Sequence, residues 1–313
     1  MRLGHTDLDV TPLGLGTWSW GDHGDWAFGR THDEEDVRQA FVVGAAHAPM
    51  LFDTAERYGS GESERLLGRF LRETGRSAVI ATKFSPTRLQ VRHTDLFHAL
   101  HGSLERLQLA RVDLYQLHWP TALSSVRARM NAMADAVEEG LVRAVGVSNF
   151  SADQVRVAHD ALAYRGLPLA TVQVEYSLLR RAPEQNGVLR ACEERGVTLI
   201  AYSPLASGML TGKYTATTPP SGARGARYPA EWLARLEPLL SLLRDIGQGH
   251  GGRSPAQAAL AWLRAKGVLP IPGAKNRRQA EENLGALEFD LGTDEVEALG
   301  RATTPLEGHT AFA

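Results

Sequence analysis

The sequence predicts a closed barrel of eight parallel strands, each followed by a helix, and three observations carry that prediction. Eight short runs rich in β-branched or apolar residues recur, at residues 13–17, 50–53, 79–82, 114–117, 144–147, 171–174, 198–202 and 268–271. Helical patterns lie between them, over 34–46, 63–74, 95–107, 126–139, 152–164, 183–195 and 255–266, each long enough to cross from one parallel strand to the next. The doubly wound alternative wants Gly-x-Gly-x-x-Gly opening the first helix, and Gly14, Gly16 and Gly21 have neither that spacing nor a helix behind them.

The bulk properties agree. At 313 residues the chain has room for two average domains or one barrel, and the repeat count favours one domain over residues 1–313. A composition of 43% hydrophobic and 22% charged residues excludes disorder, collagen and coiled coil. The formal net charge of −2 supplies no positive field, so nucleic acid is not an expected partner. A single cysteine, Cys192, permits no intrachain disulfide and reads as core packing in a reducing interior. The opening MRLGHTDLDV carries charges and no apolar core, and no stretch approaches the roughly 18 apolar residues of a membrane span. A cytoplasmic location with no membrane partner is the expectation.

Local signals fix several boundaries. Ser63 and Ser151 stand where helix N-caps are wanted, and Gly75, Gly140, Gly196 and Gly267 where helices end in a left-handed residue. Residues 3–10, with a polar Gly-His-Thr-Asp turn, read as a short β-hairpin plugging the N-terminal end of the barrel. Residues 208–230, rich in Pro, Gly and Arg, read as a long loop after strand 7, on the active-site face, either a mobile lid or an irregular surface loop.

Chemistry in such a barrel sits at strand C-termini. Asp53 ends the second strand, Lys83 the third, His118 the fourth, Ser148 and Asn149 the fifth, Gln173 and Glu175 the sixth, and Tyr202 and Ser203 the seventh. Tyr58, five residues past Asp53, is close enough to return over the mouth. A lysine inside a barrel needs a counter-charge, which Asp53 can supply. A cation beside a phenol should lower the Tyr58 pKa, and His118 can donate to a carbonyl oxygen. Taken singly, each residue has an ordinary structural role open to it: a capping Asp, a strand-end Lys, a core His, a half-buried loop Tyr. Together they describe a carbonyl-polarising site. The histidines show no His-Glu-x-x-His spacing and no zinc site is expected.

Seven segments then carry a resemblance: DTAERYGSGESE (53–64), ATK (81–83), DLYQLHWP (113–120), GVSNF (146–150), QVEYS (173–177), AYSPLASGMLTGKY (201–214) and IPGAKNRRQAEEN (271–283). In this order they resemble the aldo-keto reductase family over nearly the whole chain, in particular its bacterial long-loop members similar to general stress aldo-keto reductases. The resemblance implies metal-free, nicotinamide-dependent reduction of an aldehyde or ketone, with Tyr58 as proton donor, Lys83 and Asp53 tuning it, and His118 orienting the substrate. It further implies Tyr202 stacked on the nicotinamide, Ser148, Asn149 and Gln173 on its carboxamide, and Thr17 and Trp18 at its border. The pyrophosphate would lie along Ser203, Pro204, Leu205 and Ser207 with Lys213, and the adenosine half along Gly273, Lys275, Gln279, Glu282 and Asn283. Trp18, Tyr58, His118 and Trp119 are the expected substrate contacts; Trp18, Trp119 and Trp26 either form an aromatic substrate wall or simply cap the core. Many relatives carry arginine where this chain has Gln279; Lys275, Arg277 and Arg278 stand nearby, which favours NADP(H) over NAD(H).

Two other readings remain open at this point. Lys83 could form a Schiff base in a lyase if it were unpaired. Potassium-channel beta subunits resemble the family and hold the cofactor as redox-sensing partner proteins. The substrate, the oligomeric state and the purpose of residues 208–230 and of the tail 305–313 are not written in the sequence.

Overall fold

A computed structural model describes residues 1–87, 92–121 and 124–303. Its eight strands are β1 (Leu15–Gly16), β2 (Leu51–Asp53), β3 (Val79–Phe84), β4 (Val112–Leu117), β5 (Val142–Ser148), β6 (Leu169–Glu175), β7 (Thr198–Tyr202) and β8 (Leu269–Pro270). They form one sheet in the order β1 to β8, every pair parallel. The sheet curls until its ends meet: Gly16 bridges Gly273, and the amides of Gly14 and Gly16 donate to the carbonyls of Pro270 and Pro272, each at 3.0 Å.

Every strand expected from the sequence is present, though the central ones run longer. β4 begins two residues earlier than its apolar run and β5 extends to Ser148, because parallel pairing with neighbours on both sides satisfies backbone groups that a hydropathy count does not see. Two helix boundaries need correction. The pattern at 183–195 is split into Ala182–Gln185 and Val188–Arg195, since Gly187 takes φ 82° between them. Ser63 caps nothing: the helix Glu62–Thr74 starts after Gly61, and the Ser63 hydroxyl instead bonds Thr17 and Thr54 inside the protein. Ser151 does cap its helix, accepting from the Gln154 amide, and Gly75 and Gly196 end theirs with positive φ.

A twenty-residue helix, Ala230–Gly249, was not expected. Pro238 and the glycines near its end disguise it, yet Trp232, Leu233, Leu236, Leu239, Leu240 and Leu243 bury one continuous face at helical spacing. Between β7 and that helix, the turn Ala206–Thr211 and the short helix Gly222–Arg227 are formed. The tail at 305–313 lies outside the described residues. Among those described, no helix is long and apolar enough to cross a membrane.

The barrel interior has two chemically distinct levels. Leu51, Val79, Ala81, Leu114, Ala144, Ala170, Ile200 and Leu269 fill the N-terminal level. Residues 1–10 turn back on themselves beneath it, with the Leu3 amide on the Leu8 carbonyl at 2.8 Å, and add Leu3, Leu8 and Val10 to the same cluster. Two residues further along β2, β3 and β4 the inward positions become polar, as Asp53, Lys83 and Gln116, and β6 adds Thr171 and Gln173, all buried. Gly146 belongs to this level by necessity, because a Cβ there would stand 2.2 Å from Thr171 Oγ1.

Candidate active site

The polar level is organised around one ion pair. Lys83 Nζ donates to Asp53 Oδ2 at 2.6 Å, to the Thr54 carbonyl at 2.8 Å and to Tyr58 Oη at 3.3 Å. The other Asp53 oxygen accepts from Gln173 Nε2 at 2.8 Å and Gln116 Nε2 at 3.2 Å. Lys83 is fully buried and Asp53 is 2% exposed, so either charge alone would be expensive to hold there. Closing every donor and acceptor around both charges makes the pair tolerable.

Tyr58 reaches the pair through a tight turn, Tyr58–Gly61, in which Gly59, Ser60 and Gly61 all have positive φ. The turn also presses on the loop after β1: a Cβ on Gly59 would come within 2.4 Å of the Gly21 carbonyl oxygen. The expected lowering of the Tyr58 pKa is not what the surroundings produce. Burial pushes the phenol above its usual 10.0, Lys83 pulls it back only in part, and Asp53 adds to the rise. Burial likewise opposes the charge on Lys83, but Asp53 and the Tyr58 oxygen outweigh it and raise the ammonium pKa. At neutral pH the site therefore holds a protonated lysine against a protonated phenol.

His118 lies on the other side of Tyr58, ring centroids 6.0 Å apart and edge to face. Its amide donates to the Phe84 carbonyl at 2.8 Å, which pins the end of β4 to the end of β3. Its Nδ1 is 2.6 Å from Ser85 Oγ. Burial, then the charges of Lys83 and Arg57, lower its pKa from 6.5 to about 3, so the imidazole is neutral. Trp18 stacks beside Tyr58 at 6.2 Å and Trp119 beside His118 at 6.1 Å, both with one side open to solvent, and Trp26 meets Trp18 edge-on at 5.5 Å.

The other expected residues fall into three groups around this centre. Tyr202 Oη donates to Asn149 Oδ1 at 3.0 Å, and Asn149 Nδ2 donates to the His118 carbonyl and to Ser148 Oγ, each at 3.1 Å, so Ser148, Asn149 and Tyr202 are one unit attached to His118. Gln173 joins them through its carbonyl, which accepts from the Asn149 amide at 2.9 Å. Just beyond β7, Ser203, Ala206, Ser207 and Gly208 have φ of 50°, 49°, 55° and 90°. Turns that bring successive backbone amides together form concavities suited to anions. Pro204 is buried and Leu205 half-buried within that turn, and exposed Lys213 lies against Gly208, where a Cβ would be 3.2 Å from its Nζ.

The third group surrounds the helix Arg277–Leu284. Asn276 caps it, Gln279 Oε1 accepts from the Lys275 amide at 3.0 Å, and Asn283 Nδ2 donates to the Gly273 carbonyl at 3.2 Å. The Glu282 carbonyl accepts from Gln257 at 3.0 Å, whereas Lys275 Nζ bonds the Trp26 carbonyl at 3.2 Å and sits over its ring. Thr17 is placed differently from the rest. It is fully buried, its hydroxyl tied to the Asp53 carbonyl and to Ser63, so its side chain holds β1 to β2.

Sequence reasoning missed Gln116, Thr171, Ser85 and Glu56, which accepts from the Ser85 amide at 2.5 Å. A signal existed for two of them. Side chains on one face recur every second residue, and Ser85 stands two beyond Lys83 as Gln116 stands two before His118.

Comparison with known proteins gives the family. Residues 12–303 match the Aldo/keto reductase family. The chain is 40% identical over 301 residues to a chloroplastic pyridoxal reductase of Arabidopsis thaliana, covering 92% of this chain and 82% of that protein. Among solved structures it resembles a glycerol dehydrogenase from Gluconobacter oxydans (TM-score 0.81, 25% identity, 98% and 95% of the two chains). It also resembles an aldo/keto reductase from Klebsiella pneumoniae in complex with NADP and acetate (TM-score 0.72, 27% identity, 93% and 91%). The chain belongs to the aldo/keto reductase family and is an NAD(P)H-dependent oxidoreductase.

Proposed function

We propose that the protein reduces an aldehyde or ketone to the alcohol with NADPH, Tyr58 delivering the proton. The observation that carries this reading is Tyr58 Oη held 3.3 Å from a buried, ion-paired ammonium, next to a neutral imidazole. His118 would donate a hydrogen bond to the carbonyl oxygen and orient it. Tyr58, protonated because its pKa is raised, would pass its proton to that oxygen as negative charge builds there. Lys83 would then face the phenolate it leaves, and Asp53 keeps Lys83 charged. A lysine so paired is a poor nucleophile, which weighs against a Schiff-base lyase.

The residues fit a nicotinamide dinucleotide. The turn at 203–208 with Lys213 suits a pyrophosphate, and the open face of exposed Gly273 admits a ligand backbone-close. Tyr202, anchored through Asn149, would offer its ring to the nicotinamide, and Ser148, Asn149 and Gln173 would hold the carboxamide. When bound, this cofactor supplies the hydride that reduces the carbonyl carbon. Lys275, Gln279, Glu282 and Asn283 would border the adenosine half, and the cationic edge of Lys275, Arg277 and Arg278 supports NADPH over NADH, as does the NADP in the Klebsiella pneumoniae relative. The indoles of Trp18 and Trp119 beside Tyr58 and His118 suit a flat aldehyde, the class that the name of the Arabidopsis relative implies.

Tyr58→Phe tests the assignment. Turnover of a carbonyl panel, followed by NADPH absorbance, should fall by roughly 10²- to 10⁴-fold, while NADPH affinity by fluorescence titration stays at the wild-type value. Full kcat in the variant would remove Tyr58 as the proton donor.

A further inference from the structure

We propose that Ser85 is a positioning residue that fixes the tautomer of His118, so that the ring presents Nε2–H to the substrate oxygen. The inference rests on the orienting role of His118 given above, and it adds a residue with no role in that reading. A neutral imidazole carries its proton on one nitrogen only, and the hydrogen bond at the other decides which. Among the described residues, the one hydrogen bond to the His118 ring is that of Ser85, 2.6 Å from Nδ1.

A serine hydroxyl can donate or accept, so its own anchoring matters. Ser85 is buried, and its amide is held by the Glu56 carboxylate at 2.5 Å. Its backbone neighbour Phe84 takes the His118 amide. Both main chains are thus fixed relative to each other, and the hydroxyl is left with Nδ1 as its acceptor among the described residues. With Ser85 donating, Nδ1 is the acceptor and the ring proton sits on Nε2, the nitrogen remote from the strand. The opposite tautomer would turn a lone pair toward the carbonyl oxygen and repel it. The cations Lys83 and Arg57 near the ring disfavour a second proton, so the choice between tautomers is the one that counts.

The test reads the tautomer directly. With ¹⁵N-labelled histidine, the His118 signals are identified by their loss in His118→Gln, and in wild type they should show an unprotonated Nδ1 and a protonated Nε2. Ser85→Ala should move them toward the other tautomer or a mixture and lower kcat/KM on the order of 10- to 100-fold, with NADPH affinity unchanged; Ser85→Thr, which keeps the hydroxyl, should restore both. A wild-type Nδ1–H, or a Ser85→Ala variant whose His118 signals stay put, overturns the tautomer assignment. Signals that move while kcat/KM does not overturn the positioning role. Because the spectrum needs no turnover, failure here is separable from failure of Tyr58→Phe.

Discussion

Two neighbouring levels of one barrel interior, two residues apart along β2, β3 and β4, obey opposite rules. At the N-terminal level Leu51, Ala81, Leu114 and Leu269 meet across the axis with nothing to satisfy, and apolar burial there is worth about 25 cal/mol per Å². At the next level Asp53, Lys83, Gln116 and Gln173 are equally hidden from water, yet each depends on a named partner. The lower level can lose a methyl group and degrade gradually. The upper one is a closed set, in which removing a member strands another.

The sharpest way to break that contrast is Lys83→Met. It strands the Asp53 carboxylate, which should remove about 3–5 kcal/mol of stability in urea unfolding and abolish measurable turnover. Adding Asp53→Asn should recover much of the stability and none of the activity; if the double variant is no more stable than the single one, the pair is not the closed unit described. Leu114→Ala makes the same comparison from below. It should lower stability by about 2–5 kcal/mol by opening a cavity, with kcat/KM of the folded enzyme near wild type, and a collapse of activity at full folding would show that the two levels are not independent.

A smaller effect is expected at the rim. Gln279→Arg should shift the NADPH/NADH affinity ratio about fivefold toward NADPH, the size of one exposed ionic contact, and an unchanged ratio would place that position away from the 2′-phosphate. The smallest effect is an absence. Since His118 titrates near 3 and the Tyr58 phenol above 10.0, kcat/KM for reduction should be flat from roughly pH 5 to 9. A break near pH 6.5 that vanishes in His118→Gln would contradict the neutral imidazole. The same depressed pKa makes the folded state bind fewer protons than the unfolded chain below pH 6.5, so stability from this group is present above that value and is lost as pH falls toward 3.

The strands were legible because period and length report burial, and Asp53, Lys83 and His118 were legible because strand ends carry few polar side chains, with Tyr58 five residues beyond one of them. Other features left weaker traces. The helix Ala230–Gly249 hid behind Pro238, although its leucines keep helical spacing. The fate of Thr17 could not be read, since a threonine after a strand is equally suited to a ligand and to Ser63. Ser85 looked like one more loop serine until its hydroxyl was seen against His118.

By itself the sequence determined that Asp53, Lys83 and His118 lie at the ends of successive strands, because strand period and length are local properties of the chain. The direction of the Tyr58 pKa was decided only by tertiary structure. Proximity to a lysine predicts a fall; the rise comes from how completely the surrounding strands strip water from the phenol, and desolvation is a property of the whole enclosure that no spacing of residues encodes.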